Sequence, residues 1–304
     1  MSLYNKYRPH KFTELMQNAP SNLSKGKIDH HAYLFFGSPG TGKTSCARLA
    51  MAEVSDLKSL NTIIDGNHPD YFEINCAVNN GVDDIREIIS DKINTLPVSA
   101  SYKFVIFDEC HMLTTSAQNA LLKTVEEPPK HVKFFFCTTE INKVLPAIRS
   151  RCQIVPFMKL TEHNLISVLS LICEKEKYDY DNKSLELIAS SSDGSARNAI
   201  NLLEQCSESL TNLSAVENIL GTSSSDNFYQ LTKFICQKNT KDSINCLNSI
   251  FNNALDPGSV MNKYADYVAD MVIKRVNDST SCEFDGKQLL YIAEFVAEIG
   301  RAHV

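Results

Sequence analysis

Residues 37–44, GSPGTGKT, fit the pattern G-x-x-x-x-G-K-[ST], and their types suit one chemistry, the holding of a polyphosphate. Gly37, Gly40 and Gly42 let backbone N–H groups turn inward around phosphate oxygens, with Ser38, Pro39 and Thr41 filling the loop between them. The helix that must follow adds partial positive charge at its N-terminus. Lys43 reaches the β- and γ-phosphates, and Thr44 offers a hydroxyl to Mg²⁺. Further on, Asp108 and Glu109 end the apolar run of FVIFDECHML, residues 104–113. Asp108 is placed to hold Mg²⁺ directly or through water, and Glu109 to polarise an attacking water. Nothing in the spacing gives the next two residues, Cys110 and His111, more than packing and local hydrogen bonding.

These residues need a scaffold that brings strand ends together. AYLFFG (32–37), YFEIN (71–75), KFVIFD (103–108), KFFFCTT (133–139) and QIVPF (153–157) are apolar on consecutive positions, as buried parallel strands are. Helices are predicted after the glycine loop, over 82–95 and over 115–127, the last with Thr115 and Gln118 as a capping box and a stop at Pro128-Pro129. This alternation predicts a doubly wound α/β domain whose carboxyl strand edge carries the site. After residue 158 the pattern is helical, with Thr161 as an N-cap and Leu160 placed to staple against Leu165. Gly221 and the turn-forming TSSSDN mark a boundary within the helical part.

With 304 residues, 43% of them hydrophobic, the chain can bury more than one core. No stretch of 18 uncharged apolar residues occurs, and the start lacks an apolar signal core, so no membrane partner and a cytoplasmic location are expected. The ten cysteines are scattered singly with no CxxC pair, which reads as reduced core thiols and predicts no zinc. A formal net charge of −6 argues against a broad basic nucleic-acid face. DNA contact, if made, must be local or shared among subunits.

DECHMLTTSAQNALLKTVEEPP (108–129), HPDYFEINCAVNNGVDDIREI (68–88) and FFFCTTEINKVLPAIRSRC (134–152) together resemble the ATPase subunits of sliding-clamp loaders. These are AAA+ proteins of the bacterial DNA polymerase III gamma/tau and replication factor C small-subunit type. YNKYRPHKF (4–12) and SSDGSARNAINLLEQ (191–205) resemble the family's adenine-side segment and sensor 2 helix. The resemblance covers about residues 1–220 and extends weakly beyond. It implies a P-loop AAA+ core with a parallel sheet over 1–158, a helical lid over 159–220 and a helical collar for oligomerisation over 221–304.

The resemblance further implies a site assembled between subunits. Thr139 matches the sensor 1 position, although Thr138 beside it could serve on residue type. Arg151, in Ser150-Arg151-Cys152, matches the arginine finger that enters a neighbour's nucleotide site, and Arg149 is read as structural. Arg197 matches sensor 2 at the γ-phosphate, and Tyr7 and Arg8 match the segment flanking the adenine. Arg86 is as well explained by a helix-surface ion pair as by a DNA contact. The implied cofactors are ATP and Mg²⁺. The implied partners are other clamp-loader subunits in a hetero- or homo-oligomeric, pentameric ring, a sliding clamp and primer–template DNA. The cysteine-ligated zinc module of bacterial gamma/tau subunits is missing from its place.

Three further readings compete with an ATP-hydrolysing loader subunit. A non-hydrolysing scaffold subunit sits poorly with Lys43, Thr44, Asp108 and Glu109 all present. A DExH-type helicase, suggested by Asp108 to His111, needs a second α/β motor domain, which the helical pattern after residue 158 does not supply. A branch-migration motor matches NALLKTVEEPP and SRC less well.

Overall fold

A computed structural model describes residues 2–15, 20, 23–54, 63, 68–220, 225–252, 257–277 and 284–302. The chain divides into two compact units, residues 1–176 with 189–204, and residues 177–188 with 205–304. The boundary expected at Gly221 falls outside the described residues.

The first unit is built on a parallel sheet of β1 (Ala32–Gly37), β2 (Tyr71–Asn75), β3 (Lys103–Asp108), β4 (Val132–Thr138) and β5 (Gln153–Phe157), in the order β2-β3-β4-β1-β5. The five predicted strands are all present, β4 one residue earlier than expected. Successive residues serve opposite faces. Leu34, Val105, Phe107, Phe134 and Phe136 join one core, while Tyr33, Phe35, Phe104, Ile106 and Phe135 join the other. Both faces are covered, which is why the strands lack a polar alternation. Cys46, Ala47, Ala50 and Met51 of helix Lys43–Val54 enter the second core. Ile85 and Ile88 of helix Val82–Ile88 enter the first, with Ala117, Leu121 and Val125 of helix Thr115–Glu126. Each fully buried phenylalanine contributes about 1.5–3 kcal/mol, so the strand ends are anchored by the bulk of the unit. Pro156, which cannot donate to a ladder, lies on the edge strand β5.

Two predicted helix details are corrected. The N-cap of Thr115–Glu126 is Thr114, whose hydroxyl accepts from Ala117 N at 3.2 Å. Gln118 is therefore released from capping. It is buried, donates to Leu113 O and Lys143 O at 3.2 Å each, and accepts from Leu145 N at 2.8 Å. The 82–95 helix keeps α geometry to Ile88 and widens to a π turn over Ile89–Ile93. Lys103, buried on β3, donates to Lys92 O at 2.9 Å, and a ring nitrogen of His131 lies 3.2 Å from Ile93 O. These side chains satisfy carbonyls near the end of the widened turn. Thr161 caps helix Glu162–Glu176 as expected, accepting from Asn164 N at 3.3 Å, and Leu160 and Leu165 are both buried.

The second unit is helical. Helices Ser225–Cys236, Thr240–Asn252, Pro257–Asn277 and Gly286–Ala302 share a core that includes Phe228, Leu231, Ile250, Tyr264, Val268 and Leu289. Its buried Thr232 hydroxyl pairs with Tyr264 Oη at 3.1 Å and donates to Phe228 O at 2.8 Å. Among the described residues, no helix is long and apolar enough to cross a membrane.

Candidate active site

Parallel pairing aligns the carboxyl ends of β1, β3 and β4 at one sheet edge, where Phe36 lies opposite Thr138 and Phe107 opposite Phe136. The glycine loop leaves β1 and Lys43 opens the next helix, so the loop wraps a helix N-terminus as the motif requires. Gly37 and Gly40 are demanded by close approach. A Cβ on Gly37 would lie 2.0 Å from Phe157 O, and one on Gly40 (φ +71°) would lie 2.1 Å from Ser195 Oγ and 3.0 Å from Arg197 Cβ. Gly40 O also accepts from Ala196 N at 3.1 Å, at the start of helix Ala196–Cys206.

Lys43 is buried, and its ammonium donates to Gly37 O and Ser38 O at 2.9 Å each. Burial pulls its pKa down, against the opposing influence of Cys137, Glu109 and Asp108. Thr41 Oγ1 donates to Ser38 O at 2.8 Å and tightens the loop. Thr44 Oγ1 donates to Asp108 Oδ1 at 3.1 Å, so the two expected Mg²⁺ residues are in contact. Burial raises the Asp108 pKa, the Glu73 carboxylate raises it further, and the Thr44 hydrogen bond offsets part of this. Two adjacent oxygen ligands, one of them a carboxylate made costly by burial and like charge, fit a hard divalent cation.

Glu109 lines the same cleft, and its backbone lies in the left-handed region at φ 51°, ψ 44°. A non-glycine residue there costs about 1–3 kcal/mol and needs a surrounding structure that fixes it. Here Glu109 N donates to Asp108 Oδ1 at 3.2 Å and Glu109 O accepts from Met112 N at 2.9 Å. The conformation turns the chain sharply after β3 and leaves Glu109 beside the phosphate loop.

The cleft, about 520 Å³, lies wholly within the first unit. Tyr7 and Arg8 line it. Tyr7 Oη donates to Glu176 Oε1 at 2.6 Å, and Lys6 Nζ reaches the same oxygen at 2.5 Å. Val168, Leu171, Ile172 and Ile200 provide an apolar wall suited to a planar base. Arg197 lines the cleft and is held by Tyr4, donating from Nη2 to Tyr4 Oη at 2.9 Å with its guanidinium 4.6 Å from the ring centroid. Burial alone would raise the Tyr4 pKa, but the Arg197 hydrogen bond and the charges of Arg8 and Arg197 bring it below its ordinary value.

Thr139 and Arg151 are not among the residues lining this cleft. Thr138 is fully buried, and its hydroxyl lies 3.2 Å from His111 Nδ1. Arg151 is partly exposed, donates to Ala147 O at 2.8 Å and pairs with Glu126. Arg86 pairs with Asp83 at 3.2 Å on an exposed helix face.

Sequence reasoning missed Tyr4, His111 and Gln118 as parts of this architecture. Tyr4 had a signal, since it lies three and four residues before Tyr7 and Arg8. Besides a near neighbour each, Glu109 and Leu113, His111 and Gln118 meet partners 25–29 residues away in sequence, which no local spacing encodes.

Comparison with known proteins gives concordant results. Residues 11–161 match a family model described as DNA polymerase III, delta subunit, and residues 165–206 one described as DNA polymerase III clamp loader subunit, ATPase lid domain. The chain is 36% identical over 295 residues to DNA polymerase III subunit tau of Bacillus subtilis, covering 90% of this chain and 52% of that protein. It is 36% identical over 268 residues to DNA polymerase III subunit gamma of Buchnera aphidicola subsp. Schizaphis graminum, covering 82% and 73%. The chain thus spans about half the length of the Bacillus relative. Among solved structures, the Thermotoga maritima RuvB Holliday junction branch migration motor aligns with a TM-score of 0.54 at 18% identity, over 87% of this chain and 91% of that one. At that identity the likeness is one of fold.

Proposed function

The chain belongs to the DNA polymerase III gamma/tau family of clamp-loader subunits, and from that premise we propose that it is an ATP-hydrolysing subunit of a DNA replication clamp loader. On this reading, ATP binding supports opening of a sliding clamp, and hydrolysis on primer–template DNA releases the closed clamp. The observation that carries the proposal is the convergence of Lys43, Thr44, Asp108 and Glu109 on one cleft, with Thr44 and Asp108 in contact at 3.1 Å.

The phosphate loop binds the triphosphate through its N–H groups and through Lys43, whose ammonium exchanges its carbonyl partners for phosphate oxygens. Thr44 and Asp108 would hold Mg²⁺, which neutralises charge on the β- and γ-phosphates. Glu109 takes the proton of the attacking water as the bond to the γ-phosphorus forms and the β–γ bridge breaks. Arg197, by leaving Tyr4 for the γ-phosphate, would make helix Ala196–Cys206 sensitive to the nucleotide, and Thr139 would act as sensor 1. Arg151 would serve a neighbouring subunit's site, which favours weak turnover by the chain alone. Partition into an AAA+ core, a lid and a collar that joins subunits into a pentameric ring belongs to the same proposal, as does a cytoplasmic setting.

The four site residues favour hydrolysis over a non-hydrolysing scaffold role, and sequence identity to the polymerase III subunits is about twice that to the branch-migration motor. The test compares two variants of the assembled complex. Lys43→Ala should abolish ATP binding, whereas Glu109→Gln should retain binding and lose turnover by about 10²-fold or more. Unchanged turnover in Glu109→Gln would return the scaffold reading.

A further inference from the structure

His111 follows the two acids on the single turn Cys110–Met112, and its side chain is nine-tenths buried among groups from two strand ends. Its Nδ1 lies 3.3 Å from Glu109 Oε2 and 3.2 Å from Thr138 Oγ1. Its Nε2 lies 3.6 Å from Glu140 Oε1, and Glu140 also pairs with Lys143 at 2.9 Å. Glu109 Oε2 is buried and has no hydrogen bond of good geometry, so His111 is the polar group that meets it. A histidine needed only for packing would not face the buried oxygen of the proposed general base.

We propose that His111 is a positioning residue for Glu109, holding its carboxylate beside the phosphate loop and tying it to the end of β4 through Thr138. The inference rests on the reading of Glu109 as the base. The backbone of Glu109 is fixed by its turn, but a glutamate side chain retains three torsions, and ordering it has an entropic cost that a partner must offset. A hydrogen on Nδ1 is shared between Thr138 Oγ1 at 3.2 Å and Glu109 Oε2 at 3.3 Å, the second being a close polar contact and not a well-aligned hydrogen bond. Thr138 Oγ1, which also accepts from Glu140 N at 3.0 Å, holds the same ring nitrogen, while Glu140 Oε1 faces Nε2 at 3.6 Å. Displacement at the end of β4, next to Thr139, would therefore reach Glu109 through one side chain. Misplacing a reacting group by about 1 Å can reduce rate about a hundredfold, so the link has kinetic weight.

The test uses the full chain assembled with its partner subunits and measures ATP affinity, KM and kcat with Mg²⁺ for His111→Ala, His111→Asn, His111→Gln and Glu109→Gln. His111→Ala should lower kcat about tenfold to a hundredfold, with ATP affinity and KM held within about twofold. An asparagine amide can take the place of Nδ1, so His111→Asn should restore part of kcat. Glutamine places its amide nearer the Nε2 position and should restore less. An unchanged kcat in His111→Ala, with Glu109→Gln inactive, would overturn the inference and leave the base assignment standing. Full turnover in Glu109→Gln would remove the base assignment and the inference with it. Parallel loss of affinity and kcat in all three His111 variants would make the role structural and overturn the inference.

Discussion

Gly40→Ala tests whether the phosphate loop and the Ser195–Arg197 turn are packed as tightly as the geometry requires. At φ +71° the new side chain must accept a left-handed backbone, which costs about 1–2 kcal/mol. Its Cβ would also stand 2.1 Å from Ser195 Oγ, well inside contact distance, and relieving such overlap costs about 1–3 kcal/mol. Gly40→Ala should therefore destabilise the first unit by about 2–5 kcal/mol, read as a lower urea midpoint at an unchanged slope. Ser195→Gly should cost only a few tenths of a kcal/mol, because Ser195 Oγ accepts from Asn198 N at 3.3 Å and glycine substitutes tolerably at a cap. In the double variant the steric part should be recovered and the backbone part should remain, giving a coupling of about 1 kcal/mol or more. Additive costs, or a Gly40→Ala variant within about 0.5 kcal/mol of the parent, would refute the packing argument.

Other perturbations address the remaining parts of the site. Gln118→Ala should cost about 2–4 kcal/mol in a denaturation experiment, since it leaves Leu113 O, Lys143 O and Leu145 N without their shared partner. Asp108→Asn should leave the protein as stable as the parent or more stable at neutral pH while abolishing Mg²⁺-dependent turnover. The sign follows from a raised folded-state pKa: the folded protein holds the Asp108 proton more tightly than the unfolded chain, so ionisation opposes folding at neutral pH and the penalty fades as pH falls. For the same reason Mg²⁺-dependent binding, followed by titration at several pH values, should weaken on acidification at a higher pH than an ordinary aspartate, with its pKa of about 3.9, would require. Arg151→Ala should lower kcat of the assembled complex by about 10³-fold or more with little change in the chain's own ATP affinity. Glu126→Gln, which removes an exposed partner of Arg151, should change thermal stability by less than about 1 kcal/mol.

What could be read from the sequence follows the range over which each signal acts. The five strands and the phosphate loop were legible because consecutive apolar residues and glycine spacing are local consequences of burial and of backbone geometry. Asp108 and Glu109 were legible for the same reason, as acids closing a buried strand. The cap of helix Thr115–Glu126 was placed one residue late because Thr114 and Thr115 are equally good caps, and Gln118, read as the capping partner, is committed to Leu145 and Lys143. The π turn at 89–93 depends on Lys103 and His131, which arrive from other elements. His111 appeared bland because its partners Thr138 and Glu140 reach it only after β3 and β4 pair. Local rules thus picked out the residues that meet at one sheet edge, while the contacts that orient them required the fold.

The most direct measurement of the functional account is ATP turnover by the complex purified with its partners, with and without both primer–template DNA and the sliding clamp. The account predicts weak turnover by the chain alone, and a rise of at least about tenfold when both ligands meet the assembled complex, lost in Glu109→Gln. Turnover that ignores DNA and clamp in every preparation, from a chain that remains monomeric, would contradict it.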